Sequence, residues 1–547
     1  NLTDMNNRIY NILFHTHTVS GIVISVALYV IFFAGSFSFF KEEIVAWERD
    51  QPITEDVFKN TNFDRLMDTV GQRYGTYGRD IIIGQTNPER RVYINMTGSK
   101  DSLATEEDKA RQFFYLDIDN MDSYDYQSGY SFGEFLYRLH FFAQLNLYGI
   151  SGYILAGFVA FFFLFAIITG VWVHWNKIIS NFYLFRPRAK LKTMWTDAHT
   201  VLGMLGLPYQ FVYAVTGVYL IIGTTLFAPP VASFLYNNNT EKLYSDMGVT
   251  TSTFPMVTEK LPTAPNINSF IEKTKKQWGD FELRSVSLQN YGNANMHISI
   301  EGLPLSNLKF AGKGLIIYNA ATGEVVSNKS PYGASSYLDG TMEVLRKLHF
   351  GDFGGIGMRI IYFILGLLSC FVIISGVMIW LVARDKKSIP EKQRRFNAWV
   401  VRIYLAVCLS MYPVTAFTFL TIKIFSADIG LDRMSFMYHI FFYSWLLLSI
   451  LFAAKRDIYF TNKYTLLMGS MLGFMIPVAN GIMTGNWIWL SYHSHYQIFF
   501  MDAFWIVLSL VTIVIALKLK KKEKTKDIEL APDPKRFVGK QIAKINE

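Results

Sequence analysis

Residues 9–40 read IYNILFHTHTVSGIVISVALYVIFFAGSFSFF and contain no lysine, arginine, aspartate or glutamate. A helix that crosses a bilayer needs about 20 consecutive apolar residues, and this run is longer than that. Within it, His17 is followed by glycine four and eighteen residues later, at Gly21 and Gly35. The same spacing occurs a second time in His199, Gly203 and Gly217. The chain therefore repeats a membrane helix that carries a histidine near its start.

The composition of the chain indicates that most of it lies in a membrane. Of its 547 residues, 51% are hydrophobic and 17% are charged, whereas a soluble protein carries about 25% charged residues. Uncharged runs of membrane-crossing length recur along the sequence, and they predict a polytopic α-helical membrane protein of about eight spans. The predicted spans are 15–40, 148–175, 200–228, 358–383, 401–423, 434–454, 464–484 and 496–517.

Lysine and arginine near the ends of the spans predict the orientation. They are concentrated in the connections 177–192 and 384–402 and in the tail that begins at Lys518. If the spans alternate, these segments lie on one side of the membrane, and the positive-inside rule makes that side cytoplasmic. Both termini are then predicted to be cytoplasmic. The first span is expected to be retained, because it lacks a small-residue cleavage site and is too long for a signal peptide.

Several kinds of site are excluded by motifs that the sequence lacks. Cys370 and Cys408 are its only cysteines, too few for an iron–sulfur cluster, and no Cys-x-x-Cys-His is present for covalent c-type haem. No dinucleotide fingerprint, Walker loop or His-Glu-x-x-His motif appears, so any electron donor is expected to be a separate quinol or cytoplasmic reductase. The net charge of +9 follows from the basic connections and does not indicate nucleic-acid binding.

Two polar segments, 41–139 and 231–348, separate the first four spans on the outer side. Short alternating stretches between turn signals predict strands in both segments. The predicted strands are 79–84, 91–96, 283–288, 294–301 and 314–318. Each segment ends in a short helical stretch that leads to a histidine, His140 in the first and His349 in the second. We predict that each segment forms a small periplasmic α+β domain.

The chain up to about residue 385 is an internal duplication of span, outer domain and span. Ile168-Thr-Gly-Val-Trp172 in the second span corresponds to Ile374-Ser-Gly-Val-Met378 in the fourth. The last four spans do not match this unit and are predicted to form a separate membrane domain. The predicted divisions are the first span at 1–40, the outer domains at 41–139 and 231–348, spans two and three with their basic connection at 140–230, span four at 349–385, a linker at 386–400, the four-span domain at 401–517 and a basic tail at 518–547.

The predicted topology sorts four histidines into two membrane levels. His17 and His199 open their spans from the inside, whereas His140 and His349 precede their spans on the outside. A noncovalent haem iron takes two axial imidazoles from different helices at equal depth, and each ligand is a neutral imidazole whose second nitrogen needs an orienting acceptor. The sequence therefore predicts two bis-histidine b-type haem sites, one at each level.

Glycine four residues after a histidine lies one helical turn along on the same face. Without a Cβ, Gly21 and Gly203 would let a flat macrocycle lie against the backbone. The alternative interpretation is that the spacing only serves close helix packing. Helix packing is the interpretation that we adopt for Gly35, Gly170, Gly217 and Gly376.

Other polar residues compete for these roles. His15 and His174 are alternative ligands on the inner side, although His174 beside two tryptophans is also typical of an interfacial histidine. A further metal or haem site could involve His439, His493 and His495, but solvated loop histidines are the simpler interpretation. Asp502 is expected to pair with an outer-loop partner, with proton or quinol handling as the alternative. Asp197 is either a support for the inner face or solvated, and His297 is expected to be structural or exposed.

The chain resembles the PepSY-associated transmembrane family over roughly residues 10–385. The residues that carry the resemblance are His17-Thr-Val-Ser-Gly21, Leu139-His140, Leu348-His349-Phe-Gly351 and the Thr/Ser-Gly-Val span ends. The resemblance implies PepSY-like outer domains, two b-type haems on His17, His140, His199 and His349, and a place in the bacterial inner membrane. It also implies reduction of a ferric siderophore or related iron complex in the periplasm. Residues 401–517 lie beyond the family pattern.

Two functions of other classes stay open at the level of the sequence. A transporter or permease would suit the duplication, but the midplane of the predicted spans carries almost no charge and few signs of broken helices. A non-catalytic scaffold for iron uptake or signalling would use the outer domains to bind a partner protein. A visible spectrum of the purified protein separates both from a haem oxidoreductase.

Overall fold

A computed structural model of the chain gives the fold. It describes residues 7–51, 57–85, 91–175, 183, 185–186, 189–240, 242–243, 253–305, 308–310, 312–334, 337–425, 430 and 432–521. Parts of the predicted basic connection at 177–192 and nearly all of the predicted tail at 518–547 lie outside the described residues.

The described α-helices are numbered here in chain order. They are α1 Asn7–Ser38, α2 Lys41–Arg49, α3 Phe63–Arg73, α4 Glu106–Lys109, α5 Phe132–His140, α6 Ser151–His174, α7 Leu191–Gly217, α8 Ala228–Tyr236, α9 Ile267–Trp278, α10 Tyr337–Phe350, α11 Gly355–Arg384, α12 Glu391–Ile424, α13 Arg433–Lys455, α14 Ile458–Thr484, α15 Ile488–Ser494 and α16 Tyr496–Lys518.

Within the described residues, eight helical segments are long and apolar enough to cross a membrane. Six of them are single α-helices, the fourth adds a 3₁₀ turn at Asp352–Gly354 before α11, and the third consists of α7, a π-helical stretch at Val218–Phe227 and α8. This third segment starts at Leu191 and ends at Tyr236, so it extends beyond the predicted limits of 200–228 at both ends. Length and apolar composition were therefore sufficient to predict the number and order of the spans.

The two repeats pair their spans into one four-helix bundle. Helix α1 packs on α6 within the first repeat, and α7 packs on α11 within the second. Between the repeats, α1 packs on α11 and α6 on α7, which closes the ring. Equivalent helices therefore occupy equivalent places, and the two halves of the ring face each other.

The last four spans form a second unit beside this bundle. Helix α12 is its centre, because it packs on both α13 and α14, and α14 packs on α16. Large aromatic side chains fill the boundary with the first repeat. Phe37 of α1 and Phe40, which follows the helix, contact Phe504 of α16, and Phe37 also contacts Trp505. The predicted division of the membrane part into two units thus corresponds to two groups of packed helices.

The strands of both polar segments belong to one antiparallel sheet. Its strands are β1 Ile81–Gln85, β2 Arg91–Met96, β3 Gln112–Asp117, β4 Ser123–Tyr124, β5 Glu282–Gln289, β6 His297–Leu303, β7 Gly314–Asn319 and β8 Val325–Lys329. Their order across the sheet is β4-β3-β2-β1-β5-β6-β7-β8. Each segment thus contributes one half of the sheet.

The two halves join where β1 pairs with β5, and this differs from the prediction of two separate domains. Ile81 lies opposite Leu288 and Ile83 opposite Val286 in the pairing. An unpaired edge strand exposes a row of backbone donors and acceptors, and pairing the two edges satisfies both. Helices α3 and α9 cover a single apolar core that contains residues from both halves. The two polar segments thus form one eight-stranded sheet with a shared core.

Helices α5 and α10 connect the sheet to the membrane bundle. Ser131 caps α5 by accepting a hydrogen bond from the backbone N–H of Glu134, and the helix ends at His140. Its acidic side chain at Glu134 contacts Lys41 at 2.6 Å and Arg138 at 2.7 Å. Burial alone would raise the pKa of Glu134, but the two cations together lower it to about 2.

Replacement of Glu134 by Gln should destabilise the protein by roughly 3 kcal/mol at pH 7, because two cations lose a buried partner. The folded-state pKa of about 2 lies below the unfolded value, so this stabilisation is present above the unfolded pKa and is lost as the pH falls towards 2. Thermal unfolding at pH 7, 5 and 3 should show a difference that shrinks only at the lowest pH. The exposed Glu106→Gln control should change little at any pH.

Candidate functional site

The structure brings His17 and His199 together near the ends of α1 and α7. Their ring centres are 6.3 Å apart, and the ring planes are inclined by 72°. The two histidines come from equivalent helices of the two repeats, with His17 about three turns into α1 and His199 about two turns into α7. The duplication of a histidine-bearing helix therefore produces a pair across the centre of the bundle.

His140 and His349 form a second pair at the sheet side of the bundle. They occupy the last turns of α5 and α10, and their ring centres are 5.9 Å apart with an interplanar angle of 47°. The first pair includes His17 of α1, whereas His140 of the second pair contacts α1 at Ile31. Fourteen residues of helix correspond to about 21 Å, so the two pairs lie at different depths of the bundle.

Backbone carbonyls fix the tautomer of three of these rings. The Nδ1 atom lies 2.8 Å from the carbonyl oxygen of Ala166 in His17, 2.8 Å from that of Ile31 in His140, and 3.0 Å from that of Val372 in His199. A carbonyl can only accept, so Nδ1 carries the proton and donates. In a neutral imidazole, Nε2 is then the nitrogen with the free lone pair.

A threonine does the same for His349. The Nδ1 atom of His349 lies 2.8 Å from the hydroxyl oxygen of Thr216. That hydroxyl donates its own hydrogen to the carbonyl of Val212, at 2.7 Å, and therefore accepts from the histidine. All four imidazoles thus have Nδ1 protonated and Nε2 available as a ligand atom.

Glycines shape the helix surface that receives each carbonyl-bonded ring. Gly170, Gly35 and Gly376 each follow a carbonyl acceptor by four residues. A Cβ at these glycines would lie 2.9 Å from His17, 2.5 Å from His140 and 3.3 Å from His199, respectively. These three glycines are therefore helix contacts, as predicted, and the side chain that each receives from a neighbouring helix is a histidine ring; we call them the notch glycines. Gly217 also fits the prediction, since its Cβ would meet Ala160 at 3.3 Å.

Gly21 and Gly203, one turn after His17 and His199, border open space. A Cβ at Gly21 would meet no other atom within 4 Å among the described residues, and one at Gly203 would meet only Val372, at 3.9 Å. The two glycines of the His-x-x-x-Gly spacing are thus free of the close helix contacts that the alternative interpretation requires. The space beside them is consistent with a flat group next to the histidines.

A cavity of about 1130 Å³ surrounds the His140–His349 pair. Its membrane end is apolar and includes Leu28, Phe32 and Phe163, whereas its other end reaches the sheet at Gln85 and Arg284. The volume lies just above the range for small-molecule sites, which is about 300–1,000 Å³. A large ligand with one apolar and one polar side would match this lining.

Burial keeps the imidazoles of this pair neutral. It lowers the pKa of His140, and the hydrogen bond to Ile31 opposes that shift only in part. Burial and the nearby His140 lower the pKa of His349 to about 3. Both rings are therefore uncharged at neutral pH, the form in which an imidazole binds a metal.

The spacing within each pair suits two imidazoles that share one metal ion. Metal–nitrogen bonds of about 2 Å on opposite sides of the ion place the two ring centres about 6 Å apart. The two pairs have ring centres at 6.3 and 5.9 Å. Together with the tautomers, this spacing means that His17 with His199, and His140 with His349, could each hold a haem.

Of the competing residues predicted from the sequence, His174 lies close enough to His199 for an electrostatic interaction with it, and the others lie elsewhere. His15 is exposed and meets Phe14 edge to face, and His174 is half-buried at the end of α6. His439 stacks on Tyr443, and the described residues contain no group of three or more potential metal ligands that would include it or the histidines at 493 and 495. His297 stacks on Phe254 in a buried part of the sheet.

The two predicted acidic candidates are each held by partners. Asp197 receives two hydrogen bonds from the guanidinium of Arg186, both at 2.9 Å, and one from its backbone N–H at 3.1 Å, at the end of the bundle near His199. Asp502 receives one from Trp47 at 2.8 Å and one from Asn480 at 2.9 Å. Trp47 belongs to the segment 41–139 that follows the first span, and the sequence predicts that this segment lies on the outer side.

A comparison with known protein families agrees with this architecture. Residues 14–383 match the family described as PepSY-associated TM region. The chain belongs to this family. The match covers both repeats and all four paired histidines, and it ends where the second membrane unit begins. No curated protein matches the chain.

In this PepSY-associated protein, sequence reasoning missed the groups that orient the four histidines. Thr169 and Ser375 lie beside the Nδ1 atoms of His17 and His199, at 3.5 and 3.0 Å. Thr169 directly precedes Gly170, and Ser375 directly precedes Gly376, in the duplicated Thr/Ser-Gly-Val segments. This repeated motif was the available signal in the sequence. The backbone carbonyls had no signal of their own, because any residue supplies one.

A methyl group at Gly35 should displace His140 from its carbonyl acceptor. The Gly35→Ala variant is expected to lose about 1–3 kcal/mol of stability, because the new Cβ would lie 2.5 Å from the imidazole. Gly357→Ala in α11 is the matched control, since no atom lies within 4 Å of its Cβ among the described residues. Thermal unfolding of the two variants in detergent measures the difference, and equal melting temperatures would contradict the proposed notch.

Proposed function

We propose that this protein is a transmembrane oxidoreductase that passes electrons through two bis-histidine b-type haems to a ferric siderophore or related iron complex. His17 and His199 would hold one haem, and His140 and His349 the other. A haem bound at each pair supplies reversible one-electron chemistry. The protein's own contribution is to hold, orient and shield these groups.

The observation that carries the proposal is the state of the four imidazoles. Each ring donates from Nδ1 to a carbonyl or a hydroxyl of a neighbouring helix, and each thereby keeps Nε2 as a lone-pair nitrogen. Metal-binding histidines are usually oriented in this way by the hydrogen bond of the second nitrogen. Four such rings in two pairs are more than a packing role for histidine would need.

The separation of the two pairs supports transfer between the faces of a membrane. The His17–His199 pair lies near the ends of α1 and α7, about 21 Å along α1 from the level of the second pair. The hydrocarbon core of a bilayer is about 30 Å thick, so the two pairs lie towards opposite faces. Asp197 and Arg186, which are hydrogen-bonded to each other, lie at the face of the His17–His199 pair.

The acceptor is proposed to approach from the sheet side. The cavity at His140 and His349 opens towards β1, β5 and β6, where charged side chains of the sheet line it. The electron donor is proposed to be a membrane quinol or a separate reductase at the His17–His199 face. On this proposal both termini are cytoplasmic and the sheet is periplasmic in a bacterial inner membrane.

A visible spectrum of the purified full-length protein tests the proposal. Expression with ample haem should yield a reducible b-type Soret and α band, with two haems per chain by pyridine haemochrome. A ferric siderophore added to the dithionite-reduced protein should reoxidise it. A colourless protein would exclude the proposed function and leave a transporter or scaffold.

Single histidine variants should separate the two sites. His17→Ala or His199→Ala should each reduce the haem content from two to one per chain and leave the remaining haem spectrally intact, because the pairs lie on separate levels. The neighbouring His15→Ala and His174→Ala are the controls and should keep both haems. If His17→Ala retains two haems, one of those two residues is the ligand instead.

A further inference from the structure

The two repeats carry a cation at one equivalent position, but its ion pairing differs between them. Arg138 stands two residues before His140, and Lys347 stands two residues before His349. Arg138 is paired with Glu134, six residues before its histidine, at 2.7 Å. The equivalent carboxylate in the second repeat, Glu343, is engaged instead by Arg346, at 3.4 Å.

Lys347 is left as a buried cation without an anion. Its exposed fraction is 8%, and among the described residues its ammonium has neither a hydrogen bond nor an ion pair. Its one polar contact is electrostatic, with the ammonium 5.1 Å from the centre of the Phe310 ring. A buried ammonium is costly unless an anion compensates it, so the surroundings of Lys347 point to a missing partner.

The cavity supplies the place for that partner. Lys347 lines the cavity around His140 and His349, and so do four other cations. Each of those four already contacts a carboxylate: Lys41 with Glu134, Arg284 with Glu282, Arg346 with Asp352 and Arg359 with Glu43. Among the described lining residues, Lys347 is thus the cation with its charge uncompensated.

Arg346 adds a second free donor beside it. The Nε and Nη1 atoms of Arg346 contact Glu343 and Asp352, but Nη2 is buried and has no hydrogen-bond partner within the described part of the chain. Two neighbouring residues of α10 thus each keep an unsatisfied cationic donor next to His349. Charge-assisted hydrogen bonds to a carboxylate would satisfy both.

We infer that Lys347, assisted by Nη2 of Arg346, binds a carboxylate in this cavity, and that the carboxylate is a propionate of the haem held by His140 and His349. This inference rests on the proposed function. The lining of the cavity agrees with it, because the end near Leu28 and Phe163 is apolar and the end at Lys347 is charged. A haem likewise has one apolar side and one charged edge, which carries its two propionates.

The test compares haem with its dimethyl ester, which lacks both carboxylates. Full-length protein in the His199→Ala background, which carries one haem on the proposed function, is depleted of haem and reconstituted with either form. Transfer to an excess of a haem-scavenging apoprotein then gives the rate of release. We expect the ester to leave about tenfold faster, the size of one charge-assisted hydrogen bond.

Three variants locate the effect. Lys347→Met should abolish the difference by accelerating the release of haem itself, and Lys347→Arg should preserve it because the charge remains. Arg138→Met is the matched control from the first repeat, and it should keep the difference because Arg138 already has a carboxylate partner. The Lys347→Arg variant also separates loss of charge from a general folding defect.

Two results would overturn the inference while the proposed function stands. One is equal release of haem and ester from the background protein, and the other is a full difference in Lys347→Met. A background protein that binds neither form would overturn the inference and the proposed function together, and a spectrum taken before the transfer experiment identifies that outcome.

Discussion

The hydrogen bond from an imidazole Nδ1 to a group on the neighbouring helix is the constraint on which the site depends. In a bundle surrounded by lipid, a polar group that finds no partner costs several kcal/mol, so each histidine must approach an acceptor closely. The carbonyls of Ala166, Ile31 and Val372 meet this need, and glycine four residues later makes the approach possible. The same bond that satisfies the ring also fixes which nitrogen stays free.

Duplication explains why the site has two levels. One repeat supplies a histidine on its first span and another on the helix that leads to its second span, so neither pair can form within a single repeat. Packing α1 against α11 and α6 against α7 brings His17 to His199 and His140 to His349. The join of β1 to β5 repeats this principle outside the bundle, since each half-sheet satisfies its edge on the other.

Much of this architecture could be predicted from periodicity and spacing, because long uncharged runs and a repeated His-x-x-x-Gly are local signals. The pairing of His17 with His199 followed from counting spans. The continuous sheet could not be predicted, since β1 and β5 are separated by about two hundred residues and only backbone edges pair them. The histidine that each notch glycine receives could not be predicted for a related reason: a glycine's sequence position does not tell which side chain of a neighbouring helix will approach it.

The second membrane unit influences the cavity through α2. Asp502 is fully buried, and a carboxylate at such a position needs strong partners, which Trp47 of α2 and Asn480 provide. The ammonium of Lys423, also buried, donates to the carbonyl of Trp47 and lies over its ring. Helix α2 begins at Lys41, which lines the cavity at His140. A shift of α2 would therefore break buried polar bonds, so the unit holds one wall of the cavity in place.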